Sequence, residues 1–136
     1  MSRLNCLFPL IFALFVLGIS ESQAITVTNL SCNGRANPLG IATNDISFGW
    51  TSVTNARGVV QSAYQIRVGT TAGGADVWDS GLVSSNRQTD ITLPAGILLT
   101  PAKRYYWQVR VRDGSAVQSD WSAAAWFETG LLTVTD

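Results

Sequence analysis

The groups that carry out most protein chemistry are scarce in this sequence. Its 136 residues contain no histidine, which removes histidine general bases, Ser-His-Asp arrangements and histidine metal sites together. Cys6 and Cys32 are the two cysteines. The first lies in a segment expected to be removed, so no internal disulfide is expected, and Cys32 alone cannot build a zinc site. It reads as a small buried apolar residue. Gly73-Gly74 lacks the strand-loop-helix context and the lysine of a phosphate cradle, and reads as a loop. Carboxylates come close in sequence twice, as Asp76 with Asp79 and Asp113 with Asp120. Acid–base hydrolysis would need two opposed carboxyl groups, but both pairs fall at turn ends, where aspartate serves neighbouring backbone N–H groups. No catalytic, cofactor-binding or metal site is expected.

What remains is aromatic and cationic. Five tryptophans are present; Trp50 and Trp107 fall on inward strand positions and read as core. Trp78 stands on a short edge strand, where it either packs inward or offers a surface to a neighbouring domain. Arg67, Arg110 and Arg112 share the outer face of adjacent strands. They make either a solvated face or one over which Trp121 folds, its ring against an arginine in a cation–π contact of about 0.5–2 kcal/mol.

The element that must position these residues is KRYYWQVRVRD, residues 103–113, where residue type alternates at the period of a strand. Tyr105, Trp107, Val109 and Val111 point one way; Tyr106, Gln108, Arg110 and Arg112 point the other. Pro101 precedes it and Asp113-Gly114 closes it with a reversal. Other segments alternate too. ITVTNL (25–30) reads as an edge strand with Ile25, Val27 and Asn29 on one side. Ile46, Phe48 and Trp50 mark a second strand. Residues 61–69 place Tyr64, Ile66 and Val68 inward and Ala63, Gln65 and Arg67 outward. VWDSG (77–81) is a short strand and turn, and 88–93 a further strand with Thr89, Ile91 and Leu93 on one face. Residues 124–129 close the set, Phe127 opposite Trp126 and Glu128. About seven short strands with no amphipathic helix predict an all-β antiparallel sandwich.

The first residues have another purpose. A basic start at Arg3, an apolar run over 7–19 and Ser22-Gln23-Ala24 read as a secretory signal peptide, too short in its apolar part for the ~20 residues of a membrane span. Cleavage after Ala24 would give a secreted or periplasmic chain without membrane attachment. Residues 25–130 then form one domain, and 131–136 begin a linker to a further domain. Without Arg3 and Glu21, eight basic and eight acidic residues remain; this balance gives no footprint for nucleic acid or an anionic membrane.

Several landmarks resemble a fibronectin type III domain: Trp50, Tyr64, the run from Leu98 through Pro101 to Tyr105 and Trp107, and Ser119-Asp120-Trp121-Ser122. A tyrosine at the start of the sixth strand commonly bonds back across its corner, and Tyr105 is the candidate. A narrower likeness covers residues 30–132. NPLGI (37–41), FGW (48–50), QSAYQIRV (61–68), VWDSG (77–81), YYWQVRVRDG (105–114), SDWS (119–122) and WFETGLL (126–132) together resemble the N-terminal Ig-like or fibronectin type III-like module of bacterial α-L-rhamnosidases, glycoside hydrolase family 78. That resemblance implies a non-catalytic accessory module whose partners are the downstream domains of a longer glycoside hydrolase. The family's acidic catalytic residues lie in a later helical barrel and have no counterpart here. Interdomain contact would then involve Trp78, Trp121, Arg110, Arg112, Leu131 and Leu132. The alternative is a free-standing carbohydrate-binding or adhesive fibronectin-like domain.

Overall fold

The computed structural model describes residues 25–131. The expected leader, residues 1–24, and Leu132 lie outside them. Among the described residues there are seven strands: β1 (Thr26–Cys32), β2 (Ser47–Val53), β3 (Gln61–Gly69), β4 (Trp78–Asp79), β5 (Ile91–Thr92), β6 (Arg104–Asp113) and β7 (Ala125–Glu128). They form two sheets, ordered β1-β2-β5 and β4-β3-β6-β7, with every pairing between them antiparallel. The expected fibronectin type III or Ig-like all-β sandwich is the fold.

Strand β6 is central because it pairs with β3 on one side and β7 on the other. Its alternation is complete: Tyr105, Trp107, Val109 and Val111 are buried, and the four residues between and after them are half-buried. Trp107, only 1% exposed, meets Phe48 of the opposite sheet with ring centroids 4.6 Å apart. Phe48 also meets Phe127 at 6.1 Å, and Trp50 meets Tyr64 edge-on at 5.4 Å. Such inter-sheet aromatic pairs contribute about 0.5–1.5 kcal/mol beyond the area they bury.

The alternation fails where the backbone leaves the regular strand. Asn29 takes a left-handed φ of 51° at the register shift between Thr28 and Ser31. It therefore stands exposed and not beside Ile25 and Val27, and β1 runs on to bury Cys32. Ala63, expected outward, is buried at 4%, because the ladder with β6 slips between Gln61 and Ala63. Gln61 is consequently turned inside, where its Oε1 accepts the Trp50 indole N–H at 3.1 Å and its Nε2 donates to the carbonyls of Ser85 and Arg87. The strand expected over 88–93 shrinks to β5, since Asp90 at φ 54° breaks the period and leaves Thr89 exposed. After β6 the left-handed residue is Ala116 at φ 62°, with Asp113 Oδ1 accepting the N–H groups of Ser115 and Val117.

The tyrosine corner forms as expected: the Thr100 N–H donates to the Tyr105 hydroxyl at 2.7 Å. The outer edge of β7 is covered by the loop between β1 and β2. The Trp126 N–H donates to Asn37 Oδ1, Glu128 N–H to the Pro38 carbonyl, and Ile41 N–H back to the Glu128 carbonyl.

Candidate functional site

Two regions collect the residues of interest, and the outer face of the four-stranded sheet is the first. Antiparallel register sets Gln65 opposite Arg110 and Arg67 opposite Gln108, so each arginine finds an amide within reach. The Arg67 guanidinium donates to Gln108 Oε1 at 3.0 and 2.6 Å. Arg110 donates to Gln65 Oε1 at 3.0 and 2.7 Å. Gln65 passes a hydrogen bond on to Asp79 Oδ1 at 2.9 Å.

Over this lattice lies Trp121. The segment carrying it is clamped to β6 by its two serines: Ser119 Oγ accepts the Val111 N–H at 2.9 Å and Ser122 Oγ the Val109 N–H at 3.1 Å. Their own N–H groups donate to the carbonyls of the same two valines. Held between these anchors, the Trp121 ring sits 4.1 Å from the guanidinium carbon of Arg67 and 4.5 Å from that of Arg110. A second such pair joins Arg104 to Trp126 at 3.8 Å, with Arg104 also bridged to Glu128 at 2.7 Å, and its hydrogen bond to that carboxylate raises the guanidinium pKa. Arg112 stands half-buried at the far end of β6, opposite Ala63. Arg67, Arg104 and Arg110 are thus already engaged within the face, whereas the Arg112 Nε is buried without a hydrogen-bond partner.

Trp78, left open between core and surface, sits opposite the inward Val68. It is half-buried, stacked on Phe48 with centroids 6.3 Å apart. The carboxylates are committed to loops. Asp76 accepts from the Thr70 hydroxyl at 2.7 Å and the Thr70 N–H at 2.9 Å, which together lower its pKa. Asp79 accepts from the Gly81 N–H as well as Gln65. Among the described residues no group of three His, Cys, Asp or Glu side chains could hold a metal ion. Burial pushes the Cys32 thiol up to about 12, against an ordinary 9.0, so it is an inert apolar filler.

The second region is the end of the sandwich where β7 finishes. Gly130 is bonded on both sides, its N–H to the Ile41 carbonyl at 2.8 Å and its carbonyl to the Ala102 N–H at 3.1 Å. A Cβ here would stand 3.1 Å from the Gly40 carbonyl oxygen, so glycine allows the two chains their close approach. Thr129 Oγ1 adds a bond to the Thr100 carbonyl at 2.6 Å. Leu131 follows at once and is 83% exposed, with Leu39 at 66% and Leu98 at 90% on the two loops that hold Gly130. Of these, only Leu131 was singled out by sequence. Leu39 and Leu98 lie in non-periodic segments whose apolar residues could equally have folded inward.

The Rha78A-like, N-terminal immunoglobulin domain model matches residues 27–133. An α-L-rhamnosidase of Streptomyces avermitilis is 42% identical over 114 residues, covering 81% of this chain and 11% of the relative. The crystal structure of the Streptomyces avermitilis α-L-rhamnosidase complexed with L-rhamnose superposes with a TM-score of 0.75 at 40% identity, over 80% of this chain and 11% of that one. The α-L-rhamnosidase structure from Dictyoglumus thermophilum gives the same TM-score at 33% identity, over 80% and 13%. The chain thus spans between a ninth and a seventh of the length of the curated relatives it matches. What it matches is their small immunoglobulin-like module, with the catalytic part elsewhere, and by itself it is non-catalytic. The chain belongs to the Rha78A-like N-terminal immunoglobulin domain family.

Proposed function

We propose that this domain is the N-terminal accessory module of an exported α-L-rhamnosidase-like glycoside hydrolase, and that it works by packing against and positioning the domains that follow it. The observation that carries this reading is the state of the tryptophans. A sugar platform needs an open aromatic face. Here Trp50 and Trp107 are core, Trp78 is stacked on Phe48, and Trp121 and Trp126 lie against arginines. None of the five tryptophans is fully exposed, so the free-standing carbohydrate-binding alternative lacks an open ring array to build on, whereas exposed apolar area at the Leu131 end suits contact with protein. Export rests on the leader-like residues 1–24. Among the described residues no helix is long and apolar enough to cross a membrane.

Calorimetric titration of the chain with rhamnose and rhamnose-containing oligosaccharides tests the reading. No heat of binding is expected. Sub-millimolar binding by a monomeric sample would hand the function to the carbohydrate-binding alternative. Export is tested separately by sequencing the N-terminus of secreted protein, expected to begin at Ile25.

A further inference from the structure

At the end of the sandwich bearing Leu39, Leu98 and Leu131, the two loops that carry Leu39 and Leu98 hold no charge of their own, and Asp76 and Lys103 stand at the outer side of Leu98. Residues 91–102, which include Leu98, form the longest stretch without an ionisable side chain among the described residues, and residues 36–44, which include Leu39, have none either. Between these loops runs a groove of about 190 Å³ lined by residues such as Thr43, Ile46, Leu93, Ile97 and Leu99, none of them ionisable. Asp45 and Lys103, both exposed, stand at its margin. A charge-depleted apolar centre with charged residues at the rim is the anatomy of a protein–protein contact.

We propose that this end is the face onto which the next domain of a longer rhamnosidase-type chain closes, with an apolar side chain of that domain seated in the groove. The inference rests on the accessory reading above and names its surface. The occupant follows from where the polypeptide goes. The family's module is N-terminal, and in the relatives it amounts to 11–14% of the length, so most of each relative follows it. Gly130 is pinned to Ile41 and Ala102, which fixes the exit between the loops that carry Leu39 and Leu98. Ile25 lies at the opposite end, beside Val60 and Gln61. That end bears charge, with Arg57 in the β2–β3 turn and Arg87 bonded through its carbonyl to Gln61. A following domain meets the apolar end first. Tethering makes a modest patch sufficient, because the contact forms within one chain.

The test is a hybrid in which residues 27–133 of this chain replace the matching segment of the Streptomyces avermitilis enzyme. The sandwich has its own core, so the exchange keeps it whole. Leu39→Asp with Leu98→Asp should speed proteolysis at the domain junction at least tenfold and lower the thermal midpoint. Val60→Asp, on the opposite end and also 66% exposed, should change neither. The urea midpoint of the separate 136-residue chain should be unmoved by all three substitutions. If Val60→Asp loosens the junction and the leucine changes do not, the face is misassigned while the accessory role stands. A hybrid whose junction is cut as fast as an unstructured linker, with no thermal gain over the enzyme lacking the module, would sink the accessory role itself. A stable dimer of the separate chain, abolished by Leu98→Asp, would assign the face to a second copy and overturn the proposal.

Discussion

The guanidinium carbon of Arg67 lies 4.1 Å from the centre of the Trp121 ring, and Arg67 reaches that position because Gln108, its cross-strand neighbour, holds it by two hydrogen bonds. The contact is a consequence of register. Trp121→Ala should therefore cost about 1–3 kcal/mol, combining the cation–π contact with the lost burial. Arg67→Lys, which keeps the charge and loses the planar fork, should cost a measurable part of that. Urea denaturation of both variants checks this. A Trp121→Ala midpoint equal to the parent's would mean that the lattice is ornamental to stability.

Trp107→Ala should destabilise the domain by about 3–5 kcal/mol, a large fraction of the stability of a small domain. The ring is 1% exposed and touches Phe48 across the sheets. Chemical denaturation is again the measurement. An unchanged midpoint would place the inner face of β6 one residue out of register.

Tyr105→Phe keeps the buried ring and removes the oxygen that accepts the Thr100 N–H. Leaving that donor without a partner should cost about 1–3 kcal/mol. The local signature is faster amide exchange at Thr100. Loss of stability with no change in exchange there would point away from the corner.

Cys32 gives an alkaline signature. Its folded-state pKa is raised to about 12 from an ordinary 9.0, first by burial. The thiol's contribution is intact below the ordinary value and is lost as pH climbs from there toward about 12, because the unfolded chain ionises first. Cys32→Val should flatten that part of the stability profile. If variant and parent lose urea resistance in parallel from about pH 9 to 12, the thiol is not the responsible group.

The parts of the fold that could be read from sequence are those in which side-chain type and strand period agree. Residues 103–113 announced both faces of β6, and 61–69 gave the bounds of β3, because the sandwich buries one side of each. Reading failed where the backbone turns left-handed at a residue without any glycine signal, as at Asn29, Asp90 and Ala116. Periodicity carries no information about such φ values. The Arg-Trp contact was open to prediction from Trp121 and the arginines, but the glutamines that orient them were not. Gln65 and Gln108 become significant only once β3 and β6 are paired in a given register. Leu39 and Leu98 were invisible for a related reason: an apolar residue in a loop reads the same whether it turns in or out.

The loop laid along β7 has a further effect. Strand edges present rows of free N–H and C=O groups that can recruit another chain into a growing sheet. Here the Asn37 amide and the backbone of Pro38 and Ile41 already occupy those positions, so the β7 edge is closed to a further strand. Asn37 acts as a gatekeeper in this sense. An Asn37→Asp change would still accept the Trp126 N–H, whereas Asn37→Leu would uncover that donor and leave only the backbone of Pro38 and Ile41 to guard the border.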